Sequence, residues 1–371
     1  MLIKNARVFL PDGTFQKTDV RFGARIMETG PLPGEGVDAE GLYLIPGLID
    51  LHTHGAMGED VSDGSEKALT KMAAFCADNG VTSFLPTTMT LDEETLLSAM
   101  RTIRGYKNEH GARMIGVRLE GPFLSAKRKG AQAAEFLHAP DIALLRRLQE
   151  ASGSLVRIVD IAPELPGAME FIKEASSLCR VSLAHSAADY DTAAEAFHNG
   201  ATEVTHLFNA MEPFLHRAPG IVGAAADADA YVEVIADGIH LHPAMVRAVF
   251  KLFDRVCLIS DSMRGAGLPD GDYSLGGQAV TVKAGKCTLS DGTIAGSGIH
   301  LMTGLRRSAE FRIPLERAVA AATVIPARAV NMEKEIGVIA PGARADLVLL
   351  DSSLGIRAVY VGGTEWKTQE K

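Results

Sequence analysis

Five histidines and two carboxylates in this chain stand where they could grip a cation and move a proton. His52 and His54 come first, in "LIDLHTHG". On an extended strand, residues i and i+2 project to the same face, so the two imidazoles reach one point in space. Later apolar runs end at Glu120 ("GVRLEGPF"), His185 ("VSLAHS"), His206 ("EVTHLFNAM"), His240 ("VIADGIH") and Asp261 ("CLISDS"). Three or four imidazoles with carboxylates make a shell suited to Zn²⁺ or Fe²⁺, with one position left for water. Such an ion lowers the pKa of its water toward about 7 and polarises a carbonyl, which is the chemistry of hydrolysis. A carboxylate close to that water and not fully committed as a ligand can take its proton and return it to a leaving group, and Asp261 is placed for this. Taken singly, each residue reads equally well as a helix cap or a loop hydrogen-bond partner. Six strand ends that finish this way favour the shared site.

The elements that must position these residues follow from the alternation around them. Eight apolar runs, from "YLIPGLIDLHTHG" to "RVCLISDS", alternate with amphipathic stretches such as 65–77, 91–104, 142–149 and 243–253. That pattern predicts parallel βα units. No Gly-rich phosphate turn follows the first run, as an open doubly wound sheet would lead one to expect, and eight strands suit a closed barrel. In such a barrel the strand ends share one rim, where catalytic sites sit. His110, His138 and His198 fall away from strand ends and read as surface residues. Residues 1–46 and 337–371 break into short strands separated by Gly, Pro and Asp turns, and are expected to meet in one small β-domain flanking a barrel of residues 47–336. A hairpin insertion is expected near 272–295, with "SDG" as a turn.

Composition narrows the setting. The 371 residues are 47% apolar and 22% charged, as in globular proteins, and no run is long and apolar enough to cross a membrane. The first residues lack the features of a signal peptide. Cys76, Cys179, Cys257 and Cys287 are far apart and show no metal-finger spacing, so they read as small core residues in a reducing compartment. A cytoplasmic location is expected. The formal charge of −9 argues against nucleic acid or an anionic membrane as partner, and an anionic small substrate would need a local basic pocket.

In order, "PGLIDLHTHG", "LEGPF", "KRKGAQ", "LAHS", "THLFNAM", "DGIH", "SDSMRGAG" and "DGTIAGS" closely resemble the N-acetylglucosamine-6-phosphate deacetylases of the amidohydrolase superfamily, over nearly the whole chain. The resemblance implies a distorted (β/α)8 TIM barrel with a small β-sandwich built from both termini. It implies removal of acetate from N-acetylglucosamine 6-phosphate to leave glucosamine 6-phosphate, in amino-sugar catabolism and cell-wall sugar recycling. One or two divalent transition metals per chain, Zn or Fe, would be bound. Glu120, His185 and His206 would hold the principal metal, His52 and His54 would contribute to a second site, and Asp261 would be the acid/base. Ala131, Gln132, Asn209, Ala210, Arg217, Asp237, Gly238, Ile239 and His240 fall where the family contacts substrate, and Ile299, His300 and Leu301 do so more loosely. Relatives suggest a homodimer in which a phosphate-binding residue comes from the neighbouring subunit. Arg217, in the loop "LHRAPG", is expected with His240 to read the phosphate, because a guanidinium fork matches phosphate oxygens.

Three positions depart from the pattern: Gln132 where some members have His, Ala218 where Glu is usual, and His300 where Thr is frequent. All lie on the substrate side, so an N-acetylgalactosamine 6-phosphate or another N-acyl amino sugar stays open. For His300, a structural place against the hairpin stands beside the substrate role. Cyclic amidases of the superfamily often bridge two metals with a carboxylated lysine on the fourth strand, but here that strand, "RIVDIAPE", has none. A non-catalytic scaffold would be expected to have lost ligands or the acid/base, and all are present.

Overall fold

The computed structural model describes residues 1–367, so the last four positions of the 337–371 segment lie outside the described residues. Its centre is a parallel sheet whose eight main strands run in chain order: β1 (Leu48–Thr53), β2 (Val81–Thr88), β3 (Val117–Leu119), β4 (Val156–Ile161), β5 (Arg180–Leu183), β6 (Glu203–Val204), β7 (Tyr231–Ile235) and β8 (Val256–Ile259), with the two-residue strand Arg113–Met114 also pairing β2 just before β3. A helix follows each strand before the next, from Glu66–Asp78 after β1 to Leu301–Glu310 after β8. The first helix illustrates why these segments fold as they do. Ser65 caps it by accepting from Ala68 N, a contact typically contributing about 1 kcal/mol. Leu69, Met72, Ala73 and Cys76 then recur at three- and four-residue spacing and are buried.

The barrel is distorted where it closes. No ladder joins β8 to β1. Instead, Asp261 N donates to His52 O at 2.9 Å, His54 N donates to Ser262 O at 2.8 Å, and the Thr53 and Ser262 hydroxyls meet at 2.7 Å. The seam therefore runs through the strand ends that carry His52, His54 and Asp261.

Strands buried on both faces normally read as continuous apolar runs. This barrel instead encloses Asp50, Arg118, Asp160, Ser182, Glu203 and Glu233, all buried. Asp50 and Arg118 stand two residues before His52 and Glu120, so by the two-residue alternation they point inward one layer below them.

Between β8 and its helix lie three antiparallel strands, Gly271–Leu275, Gln278–Lys283 and Lys286–Thr288, one more than a simple hairpin has. The third strand adds because the chain turns again at Ala284 and Gly285, both with positive φ. After it, Leu289 N bonds Thr293 O around the Ser290–Gly292 turn.

The terminal segments form one eight-stranded sheet in which the strands of residues 347–365 continue those of residues 2–46, joined where Leu347–Leu350 pairs with Tyr43–Pro46. It bends over its own apolar face. Phe22 and Tyr360 lie on strands separated by three others in the ladder, yet their rings meet edge-on with centroids 5.3 Å apart. Ile3, Val8, Val20, Leu44 and Leu347 fill the space between as a core distinct from that of the barrel. Among the described residues no helix is long and apolar enough to cross a membrane.

Candidate active site

At the C-terminal rim of the barrel, the ends of different strands converge on a cavity of about 360 Å³. Its floor holds His54, Glu120, His185, His206 and Asp261, with His52 buried just beneath. Three of these residues take the left-handed backbone conformation: His185 at φ 43°, His206 at φ 29° and Asp261 at φ 48°. Non-glycine residues there carry strain of order 1–3 kcal/mol, a cost concentrated at functional sites. Each is the second residue past the end of a barrel strand.

The ring nitrogens are assigned by their partners. His52 donates from Nδ1 to Glu233 Oε2 at 3.2 Å, His54 from Nδ1 to the Thr87 carbonyl at 3.0 Å, and His185 from Nδ1 to the Arg128 carbonyl at 2.9 Å. A carbonyl or an ionised carboxylate can only accept, so in each neutral ring the proton sits on Nδ1 and Nε2 offers a lone pair. His206 Nδ1 is buried with no partner among the described residues.

Those Nε2 atoms face one another. His52 and His54 are 3.2 Å apart there, and His185 and His206 are 3.1 Å apart. Glu120 lies between the pairs, with Oε1 at 3.3 Å from His185 Nε2 and 3.0 Å from His206 Nε2, and Oε2 at 3.2 Å from His54 Nε2. Asp261 Oδ1 approaches His54 Nε2 at 3.2 Å and His52 Nε2 at 3.5 Å. Lone pairs on five of these groups, His52, His54, His185, Glu120 and Asp261, thus converge beside His206 Nε2. Protonation would be the alternative: burial disfavours a charged His54, but Asp261 and Glu120 outweigh it and push its pKa up to about 9. The same acceptors fit a cation, and two ligand sets are present, His52 with His54 and Glu120, and Glu120 with His185 and His206. This donor set suits a divalent metal.

The substrate-side expectations divide. Ala131, Gln132, Asn209, Ala210 and His240 line the cavity. Asp237 does not, but it braces His240, accepting from its Nδ1 at 2.7 Å and from the backbone N of Ile239 and His240 at 2.8 Å each. Gly238 and Ile239 complete that turn outside the cavity wall. Arg217 lies apart: it is exposed on the rim, its guanidinium 2.7 Å from His216 Nε2, and it does not line the cavity of its own chain. Ile299, His300 and Leu301 lie at the start of the helix Leu301–Glu310, and none reaches the cavity. His300 packs edge-on against Phe75 of the first helix, with centroids 6.2 Å apart. Burial, helped by the charge of Arg306, pushes its pKa down to about 4.

Residues the motifs did not single out support the floor from below. Arg118 bonds Asp160 Oδ1 at 2.8 Å, Thr205 Oγ1 at 2.7 Å and Glu233 Oε1. Glu233 in turn holds His52 Nδ1 and accepts from His206 N at 3.3 Å. The signal was a charge inside each of "GVRLEG", "IVDIAP", "ATEVTH" and "YVEVIADG", runs otherwise apolar.

The amidohydrolase family model matches residues 43–366. The chain belongs to the amidohydrolase family. It is 39% identical to the N-acetylglucosamine-6-phosphate deacetylase of Bacillus subtilis (strain 168), covering 83% of this chain and 81% of that protein. It is 36% identical to the N-acetylgalactosamine-6-phosphate deacetylase of Escherichia coli O157:H7, covering 90% of each. Among solved structures, a mutant N-acetyl-D-glucosamine-6-phosphate deacetylase from Mycobacterium smegmatis, in complex with N-acetyl-D-glucosamine-6-phosphate, superposes with a TM-score of 0.93 at 32% identity, covering 98% of both chains.

Proposed function

We propose that this amidohydrolase removes acetate from N-acetylglucosamine 6-phosphate, leaving glucosamine 6-phosphate. The observation that carries the reading is the double ligand set sharing Glu120, with Asp261 beside it, on the floor of a cavity sized for a monosaccharide. The relatives named above supply the substrate class.

In this reading Glu120, His185 and His206 hold the principal metal, and His52 and His54 share Glu120 in a second site. A divalent ion there, Zn²⁺ or Fe²⁺ by its imidazole and carboxylate donors, supplies Lewis-acid activation of water and of the acetyl carbonyl. Asp261 accepts the proton of the attacking water and delivers it to the amide nitrogen as the C–N bond breaks, so that acetate and the free amine leave. Its carboxylate is held at the seam by its own backbone, with Asp261 N on His52 O and Ser297 N on Asp261 O at 2.7 Å. Asn209, Ala210 and Ala131 shape the sugar site, and His240, held by Asp237, faces the phosphate.

Arg217 completes the phosphate site from the partner subunit of a homodimer. The neighbouring Phe214 and Leu215 are 43% and 53% exposed, apolar surface suited to such a contact. The four cysteines are unpaired, in keeping with a cytoplasmic protein. The chemistry belongs to residues 47–336, and the terminal segments, 1–46 and the described residues of 337–371, brace the barrel.

The E. coli relative favours a second reading, the galactosamine epimer as substrate. Acetate release from N-acetylglucosamine and N-acetylgalactosamine, each with and without 6-phosphate, tests both. The expected result is fastest release from N-acetylglucosamine 6-phosphate. Preference for the other epimer moves the assignment, and no release from any metal-supplemented arm overturns it.

A further inference from the structure

The family resemblance sets Gln132 against the substrate, yet its polar atoms are engaged elsewhere. The side chain is buried, 1% exposed. Its Oε1 accepts from Thr90 N at 2.8 Å, and its Nε2 donates to Glu120 Oε2 at 2.7 Å. The amide cannot be turned round, because a backbone N–H only donates and an ionised carboxylate only accepts, so both ends demand the same orientation. The other contact of Nε2 is the Met89 sulfur at 3.9 Å, a weak acceptor.

Thr90 is the second residue past β2 and Glu120 the first past β3, so the Gln132 amide ties two neighbouring strand ends together. The geometry depends on close approach between them. Gly121, at φ +100°, allows the exit of β3 to pass Thr90 where a Cβ would lie 2.0 Å from Thr90 Oγ1. The loop carrying Gln132 is fastened as well, by Gln132 N on Lys129 O at 2.9 Å and by the Gln278 amide of the inserted strands on the Ala131 carbonyl.

Glu120 has reason to need this clamp. Its Oε1 serves His185 and His206 while Oε2 faces His54, so rotation of the carboxylate would spoil both ligand sets at once. A charge-assisted bond to Oε2 removes that freedom and leaves the second lone pair of the oxygen available.

We propose that Gln132 is a positioning residue that fixes Glu120 as the carboxylate common to both ligand sets, and that it acts on metal affinity rather than on substrate recognition. The proposal rests on the reading that these sets hold ions. Its test is to strip the protein with chelator and titrate wild type, Gln132→Met and Gln132→Asn with Zn²⁺ by equilibrium dialysis, alongside steady-state kinetics. Gln132→Met removes both bonds. Gln132→Asn keeps a polar amide compatible with the fold but falls one methylene short of spanning Thr90 N and Glu120, so it decides the matter if the Met variant does not fold.

Outer partners of metal ligands typically contribute about 10- to 100-fold in affinity, and a loss of that size is expected in the variants. Excess Zn²⁺ should restore kcat, and KM for the sugar phosphate should not move. Wild-type binding isotherms in the variants, with a raised KM, would overturn the proposal and return Gln132 to the substrate. A wild-type protein that takes up no Zn²⁺ would instead overturn the functional reading beneath it.

Discussion

Two layers of the barrel interior, one above the other, are built from the same kinds of residue and differ in what they lack. In the lower layer the Arg118 guanidinium meets Asp160, Glu233 and Thr205, so each acid faces a fixed donor. Burial and the charge of Glu233 push the Glu203 carboxyl up to about 8. In the upper layer Glu120 takes one donor, the Gln132 amide, and Glu120 and Asp261 otherwise face imidazole nitrogens, of which those of His52, His54 and His185 have their protons committed to the other side of the ring. The lower layer carries its own cation, and the upper layer calls for one from solution. Clustered polar residues in a barrel are therefore not in themselves a site; the electrostatic balance of the cluster decides. Glu233 links the two, neutralising Arg118 with one oxygen and holding His52 with the other.

The comparison breaks first at Asp261. Asp261→Asn keeps the shape of the upper layer and removes its base, so kcat should fall by about 10²- to 10⁴-fold while substrate still binds. Unchanged turnover would make Asp261 a seam residue like Ser262.

Arg118→Met attacks the lower layer. It strands buried carboxylates, for which a loss of about 3–5 kcal/mol of stability is expected in denaturant unfolding. Arg118→Met combined with Glu233→Gln should lose less than the sum of the single changes, because the two groups neutralise each other. Strict additivity would show that the layer is not a coupled unit.

Arg217→Ala leaves both layers alone and removes a cation from the rim. A charge-assisted bond contributes about 1.5–3 kcal/mol, so kcat/KM for the 6-phosphate should drop about 10- to 100-fold, with little change for the unphosphorylated sugar. Equal losses on both substrates would mean that the loop supports the fold.

The smallest effect concerns pH. Burial lowers the pKa of His240, but the bond and charge of Asp237 outweigh it and raise it above the ordinary value of 6.5. The stability of that pair is fully present below pH 6.5 and is lost as pH rises through the raised value. Binding of the phosphate should weaken over the same window. Asp237→Asn should shift the rise in KM to lower pH, and a profile that does not move would remove His240 from the phosphate site.

The sequence by itself determined the barrel and the rim residues. Strand alternation places His52 and His54 on one face, and a parallel barrel brings all its strand ends to one rim whatever the loops do. It carried the lower layer too, as single charges inside apolar strands, but alternation says only that Arg118 points inward. Which acids it meets depends on the stagger of strands far apart in the chain. The same holds for Glu120, whose place between two imidazole pairs is set by β1, β5 and β6 together, and for Gln132, whose amide is claimed by Thr90 and Glu120 before a substrate could reach it. Arg217 read as a phosphate reader from its guanidinium fork and the family resemblance, which say nothing of whether its loop turns toward the cavity of its own chain, and it does not line that cavity. Residue types and strand ends are local properties of the chain. Partners a few ångströms apart are decided only when the barrel closes, because hydrogen-bond and charge balance are properties of the assembled interior.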